Sequence, residues 1–247
     1  RFLSNVFSNT RMANSCLSLC FVRGNNGGIN AHSAAVSLGD SATVENANDW
    51  ELNVKSAVGT SGLKTGSFIA KFPGALGNAL AVSFCPAGDS AGGSTLNFAN
   101  FPYRAQFDAA PGTSAYAAKN GASNDEVHVA VIDRTGAFSG TPGTVLETFP
   151  FLSVAKGATT SDNAPNYISD VLNERSQYVW NGYFGDDSAF GSDFDNLAAT
   201  WGTTPTIDTA TNFGVNDASY NAGTKTMNLG GGVASSALGN SNIAAAF

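Results

Sequence analysis

Hydrophobic and polar positions alternate most cleanly over Glu126–Asp133, where Val127, Val129 and Val131 interleave with His128, Ala130 and Ile132. A period of two predicts a strand. Asp133-Arg134-Thr135-Gly136 is a turn signal, and residues 145–149 are the expected hairpin partner. Further strands are predicted over 16–22, 68–72, 79–85 and 227–229, the last stopped by Gly230-Gly231-Gly232. Helical spacing appears three times. Phe2, Leu3, Val6 and Phe7 mark a helix over 1–13. Val44, Ala47, Trp50 and Val54 mark one over 43–56, with Thr43 as its expected N-cap and Glu51 four residues before Lys55. Ile168, Val171, Leu172, Arg175 and Val179 mark a third over 166–180, after helix-start chemistry at Asp162, Asn163 and Pro165.

Between these elements lie long turn-rich stretches. Residues 24–41 change both pattern and composition, and a domain junction is expected there. Residues 86–124 read as a loop excursion pinned by Phe98, Phe101, Tyr103, Phe107 and Tyr116, and residues 182–223 as another anchored by Trp201 and Phe213. Heptads and internal repeats are absent from the pattern. The expected fold class is α+β and β-rich: an antiparallel or mixed sheet with flanking helices and long loops.

Composition sharpens this picture. Of 247 residues, 43% are hydrophobic, enough for a core, while charged residues are 13%, about half the usual share of roughly 25%. Gly, Ser, Thr and Asn fill the difference, which suits a turn-rich β protein. Twelve Lys and Arg against nineteen Asp and Glu leave a net charge of −7. Without a basic stripe, neither nucleic acid nor an anionic membrane is an expected partner. No window approaches 18 consecutive apolar residues, so no transmembrane helix is expected. The chain opens on Arg1 and closes on Ile243-Ala244-Ala245-Ala246-Phe247. It reads as an internal fragment of a longer polypeptide, a mature processed chain being the alternative.

Cys16 and Cys20 fall four apart on one predicted strand, roughly 13 Å at about 3.3 Å per residue. A disulfide needs Cα atoms within about 7 Å. Cys16, Cys20 and Cys85 are therefore expected as free thiols, which fits assembly in a reducing cytosol. The absence of any Asn-x-Ser/Thr sequon points the same way.

Candidate chemistry is sparse. Gly59-Thr60-Ser61-Gly62-Leu63-Lys64-Thr65 approximates a phosphate loop, but Leu63 separates the glycine from the lysine that must follow it directly. His32 and His128 are the only histidines, too few for a histidine-rich metal site, and His128 reads as a satisfied core or surface residue. Asp186, Asp187, Asp193 and Asp195 cluster in one loop. Hard cations such as Ca²⁺ bind clustered carboxylates, yet the spacing matches no EF-hand. A solvated loop is the plainer reading, and paired glycosidase carboxylates cannot be tested by sequence spacing. Gly230-Gly231-Gly232 lacks the G-x-G-x-x-G layout and reads as a backbone bend. No catalytic, cofactor-binding or metal residue is assigned, and no cofactor is expected.

Several collinear segments resemble one family. Leu19-Cys20-Phe21-Val22-Arg23 followed by Asn30-Ala31, then Ala47-Asn48-Asp49-Trp50-Glu51, resemble blocks of the tail sheath proteins of contractile-tailed, T-even-like bacteriophages. The most specific block is Ala70-Lys71-Phe72-Pro73-Gly74-Ala75-Leu76-Gly77-Asn78-Ala79-Leu80-Ala81-Val82. Residues 125–149 resemble that family's long hairpin, 167–180 its helix ending in an aromatic, and 227–236 its Gly-Gly turn. The blocks span most of the chain. Two features depart from the family pattern. Residues 30–44 leave little room for the extra protruding domain of larger relatives, and the subunit-knitting N-terminal arm and C-terminal domain have no counterpart here.

The resemblance implies a non-enzymatic structural virion protein. Such subunits stack as hexameric rings around a tail tube and contract to drive the tube through the host envelope. Implied partners are further copies of itself, the tail tube protein, and the baseplate and tail terminator proteins. The implied location is the virion tail, assembled in the host bacterial cytoplasm. Residues 1–36 become a helix-strand piece of the inner subunit domain, 37–232 an outward-facing α+β domain, and 233–247 a return segment toward the inner domain. On this reading the 247-residue chain alone is a monomer. The alternatives are a β-rich surface binding module, such as an adhesin or tail-fibre-like domain, and a hydrolase using the Asp186–Asp195 loop.

Overall fold

The computed structural model describes residues 28–31, 43–55, 68–71, 73–87, 96–155, 157–181 and 225–236. In chain order the elements are helix α1 (Ala47–Asp49) continued by a π-helical turn (Trp50–Val54), strand β1 (Phe68–Ala70), a 3₁₀ turn (Ala75–Ala79), β2 (Leu80–Pro86), α2 (Leu96–Ala99), a 3₁₀ turn (Arg104–Gln106), α3 (Ala115–Lys119), β3 (Glu126–Asp133), β4 (Thr144–Ser153), α4 (Ile168–Arg175), β5 (Val179–Asn181) and β6 (Lys225–Asn228). The fold is α+β and β-rich. One antiparallel sheet runs in the order β4-β3-β2-β6, and β1 pairs antiparallel with β5 in a second, two-stranded sheet.

The alternation over β3 does what period two requires, but both of its faces are covered. Val127, Val129 and Val131 join Leu80, Val82 and Phe84 of β2 in a core with Ile168, Val171 and Leu172 of α4. Ala130 and Ile132 face the other way, with Ala81 and Cys85, onto Phe101 and Phe107. Every residue of β2 is buried, the run being apolar except for Ser83, whose hydroxyl pairs with that of Thr226 on β6 at 2.8 Å. Burying each large side chain contributes about 1.5–3 kcal/mol, so the two aromatics help fix the 96–110 excursion as a layer on the sheet. That excursion holds α2 and a 3₁₀ turn, and α3 follows it, where the pattern predicts only loop.

The expected hairpin forms, with Val129 opposite Phe149 and Ile132 opposite Val145. Two other expectations change. The helix over 166–180 stops at Arg175, and Val179–Asn181 becomes a strand. Ser176 causes the break: extended at ψ 139, its hydroxyl oxygen accepts from the backbone N–H groups of Tyr178 and Val179 at 3.2 and 3.1 Å. A Ser offering its own oxygen to the following amides competes with helix continuation. The helix over 43–56 starts later than its spacing suggests, because Asn46, not Thr43, caps it by accepting from Asp49 N at 3.0 Å. Thr43 instead donates its hydroxyl to Gly28 O at 3.1 Å.

A second cluster joins Val44, Trp50, Val54, Ile69 and Trp180. The two indoles stack at 5.4 Å with 12° between planes, and the Lys71 ammonium sits 4.0 Å over the Trp180 ring. Lys71 also donates to Asn173 O at 3.0 Å. Burial pushes its pKa down, and Glu147 opposes that shift.

Candidate functional site

The most specific block of the sequence, 70–82, builds a neck where distant parts of the chain meet. Pro73 and Gly74 turn the chain out of β1, and Gly74 takes φ 137, a conformation costly for any residue with a side chain. Its N–H donates to Ile29 O at 3.0 Å. The same carbonyl accepts from Val233 N at 3.0 Å, while Ile29 N donates to Val233 O at 3.0 Å. Ile29 and Val233 thus form an antiparallel bridge, so chain arriving at 28 and chain leaving at 236 run side by side.

Small residues let the backbones close in. A Cβ on Gly77 would lie 2.8 Å from Ala70 Cβ and 2.9 Å from Ala31 Cβ. One on Gly232 would lie 2.5 Å from Gly74 O. Two asparagines stitch the segments. Asn30, fully buried, donates Nδ2 to Ala70 O at 2.7 Å and accepts from Val44 N at 2.8 Å. Asn78 donates Nδ2 to Gly232 O at 2.9 Å and accepts from Gly232 N at 2.8 Å. Arg134 donates Nη2 to Asn78 O at 2.7 Å, tying the β3–β4 turn to the neck. Each amide satisfies backbone groups that no strand ladder reaches, as buried polar groups require. Leu76 and Val233 remain exposed beside this junction, at 56% and 48%.

No protein-family model matches the chain, and no curated protein matches it.

Elsewhere the polar chemistry is internal. The Asp133 carboxylate is wrapped by its own turn: Oδ1 accepts from Gly136 N and Ala137 N, Oδ2 from Phe138 N, Ser139 N and Ser139 Oγ, all between 2.8 and 3.0 Å. Burial opposes its ionisation, but the Ser139, Phe138 and Gly136 hydrogen bonds outweigh this and bring the pKa down to about 2. Asp125, fully buried, accepts from Ser114 N at 2.8 Å, from Ser114 Oγ at 2.6 Å and from Ser153 Oγ. This ties α3 and β4 to the start of β3. Both serine hydroxyls donate to that carboxylate away from solvent.

His128 is fully buried, with both ring nitrogens engaged by backbone. Of the satisfied core or surface residue expected, it is the core one. Cys85 is a free, buried thiol whose pKa burial pushes up to about 12. In Gly230-Gly231-Gly232, where a backbone bend is expected, Gly231 takes φ 73. Cys16, Cys20, His32, the Gly59–Thr65 loop and the aspartates 186, 187, 193 and 195 lie outside the described residues. Among the described residues, no group of three or more His, Cys, Asp or Glu side chains is gathered for a metal, and no helix is long and apolar enough to cross a membrane.

Sequence reasoning overlooked the clamping roles of Asn30 and Asn78 and the carboxylate nest at Asp133. The signal for the nest was present: Asp followed within seven residues by two glycines and a serine is turn chemistry in which an Asx side chain collects amides. The asparagine clamps carry no local signal, because their partners are 40 and 154 residues away.

Proposed function

We propose that this chain is a structural, non-enzymatic subunit of a bacteriophage contractile tail sheath. The observation that carries the reading is the neck. The block most like the sheath family, 70–82, ties the incoming chain at Ile29 to the outgoing chain at Val233. A domain whose two ends leave side by side is suited to insertion into another domain. This supports 37–232 as the outward-facing part, with 1–36 and 233–247 belonging to the inner part of the subunit.

Mechanically, such a neck suits a part that must travel as a rigid body. In a contracting array each subunit keeps its fold while its contacts exchange between two arrangements. Paired backbone hydrogen bonds, two asparagine clamps and backbones packed at glycine distance resist bending between the inserted domain and its host. The partners on this reading are further copies of the same subunit in hexameric rings, the tail tube, and the baseplate and terminator proteins. Neither nucleic acid nor membrane is contacted, and the location is the virion tail.

Negative-stain microscopy of the full-length polypeptide tests the reading. Stacked six-fold rings forming hollow tubes are expected. A population that stays monomeric at high concentration, or that attaches to cell surfaces or glycans without forming tubes, would favour the binding-module alternative.

A further inference from the structure

His128 stands opposite a bulge. The β3–β4 register passes from Val127 with Leu152 to Val129 with Phe149, so Pro150 and Phe151 together face one β3 residue. Phe151 takes φ 51, in the left-handed region that side-chain-bearing residues rarely adopt. Its N–H donates to His128 Nδ1 at 3.1 Å instead of to a strand carbonyl. On the other side of the ring, Nε2 lies 2.7 Å from Ala109 O. A carbonyl can only accept and an amide N–H can only donate. These partners therefore assign a neutral imidazole with its proton on Nε2. The ring stacks on Phe107 at 4.4 Å and 4°, and meets Phe98 and Phe151 edge to face.

A second proton has one place to go, Nδ1, and there it would point at the Phe151 N–H. Among the described residues, nothing on the surrounding elements offsets that. On β3, Glu126 accepts from Gly112 N, and the adjoining Asp125 is committed to Ser114 and Ser153. On β2 the register partner is Cys85, whose thiol stays neutral. On β4, Glu147 accepts from Ser176 Oγ and Gln177 N. In the excursion, Arg104 donates to Ala99 O, and Asp108 is exposed. None of these carboxylates hydrogen-bonds to the ring.

We propose that His128 is an acid-sensitive latch: taking up a proton at Nδ1 breaks its bond to Phe151 and releases the Pro150–Phe151 bulge of β4, changing the exposed surface at Pro150, while Nε2–H keeps its bond to Ala109 O. The bulge is the part that yields, because Nε2–H still donates to Ala109 O when Nδ1 is protonated. The excursion stays held by that bond and by Phe101 and Phe107, and β2 and β3 keep their core against α4. Burial already holds the imidazole below its ordinary 6.5, with the Ala109 bond opposing. The open or unfolded chain therefore binds the proton first. The latch is fully closed above pH 6.5 and weakens as pH falls below it. The inference does not depend on the sheath reading.

Amide hydrogen exchange of the whole chain at about pH 7.5 and about pH 5, corrected for intrinsic rates, tests it. Protection of Phe151 is expected to fall about tenfold or more on acidification, while residues 98–110, β2 and β3 keep theirs. In His128→Gln, which stays neutral across this range, that fall should vanish. Equal losses in both proteins, or none in the wild type, would overturn the latch. Should the variant fail to fold, ¹⁵N shifts of the wild-type imidazole decide. A ring that protonates together with loss of Phe151 protection supports the latch, and a ring that protonates while Phe151 stays protected refutes it.

Discussion

Asn78 and Gly232 are 154 residues apart in the chain, yet the Asn78 side chain holds both backbone polar groups of Gly232, accepting from its N–H at 2.8 Å and donating to its carbonyl at 2.9 Å. A primary amide is the side chain that can mimic a strand partner in this way, with one donor and one acceptor side by side. The pair closes the neck against the turn that follows β1, and it explains why an asparagine ends the Pro-Gly-Ala-Leu-Gly-Asn run.

Replacing Asn78 by Ala removes both bonds and leaves two partly buried backbone groups without partners. The expected loss is about 2 kcal/mol, read as a lower urea midpoint with an unchanged slope. Asn78→Asp keeps the acceptor but turns an oxygen toward Gly232 O, so it should not restore stability. Full stability in the aspartate variant would show that the bond to Gly232 O contributes nothing.

Gly77 is required for a steric reason. Its φ is ordinary, but any Cβ meets Ala70 and Ala31 within 2.9 Å, and neither methyl can rotate away. Gly77→Ala should cost about 1–3 kcal/mol through overpacking. Gly230 is the control, since a Cβ there meets nothing within 4 Å. Gly230→Ala should stay within about 0.5 kcal/mol of wild type. Equal denaturation midpoints for the two variants would contradict the close packing of the neck.

The Asp133 nest makes a pH-dependent prediction. The folded carboxylate titrates near 2 against an ordinary 3.8, so the unfolded chain takes up the proton first as pH falls. The nest's stabilisation is therefore complete above about pH 3.8 and lost on the way down to about 2. Asp133→Asn should be less stable at neutral pH and show a flatter stability profile across that window. Thermal melts of both proteins at stepped acid pH test it, and parallel profiles would count against the nest.

Cys85 should be inert in the folded protein. It is fully buried, and burial pushes the thiol up to about 12, which leaves almost no thiolate at pH 8. Peptide mapping after alkylation should find Cys85 unmodified in native buffer and fully modified in urea. Rapid native labelling would mean that β2 opens from the sheet.

The hairpin and the fold class were legible because period-two alternation and a turn signal sit close together in sequence, at 126–136. The end of the α4 helix was not. Val179 and Trp180 continue the helical spacing, and only the Ser176 hydroxyl, bonding forward to Tyr178 and Val179, decides otherwise. That Phe101 and Phe107 pin the 96–110 stretch was legible, but not where, because they follow no period and are fixed by what they cover on the sheet. The neck was visible as an unusual string of Gly, Ala and Asn, but its meaning depends on Ile29, Ala31 and Gly232, which only folding brings there.

The central proposal is that residues 37–232 form the outward part of a contractile sheath subunit, joined to its inner part through the Ile29–Val233 neck. Cryo-electron microscopy of tubes assembled from the full-length polypeptide tests it most directly. The account predicts six-fold rings in which density for 37–232 lies on the outside and the neck faces the tube axis. Tubes lined on the inside by this domain, or particles without ring symmetry in which the neck faces solvent, would contradict it.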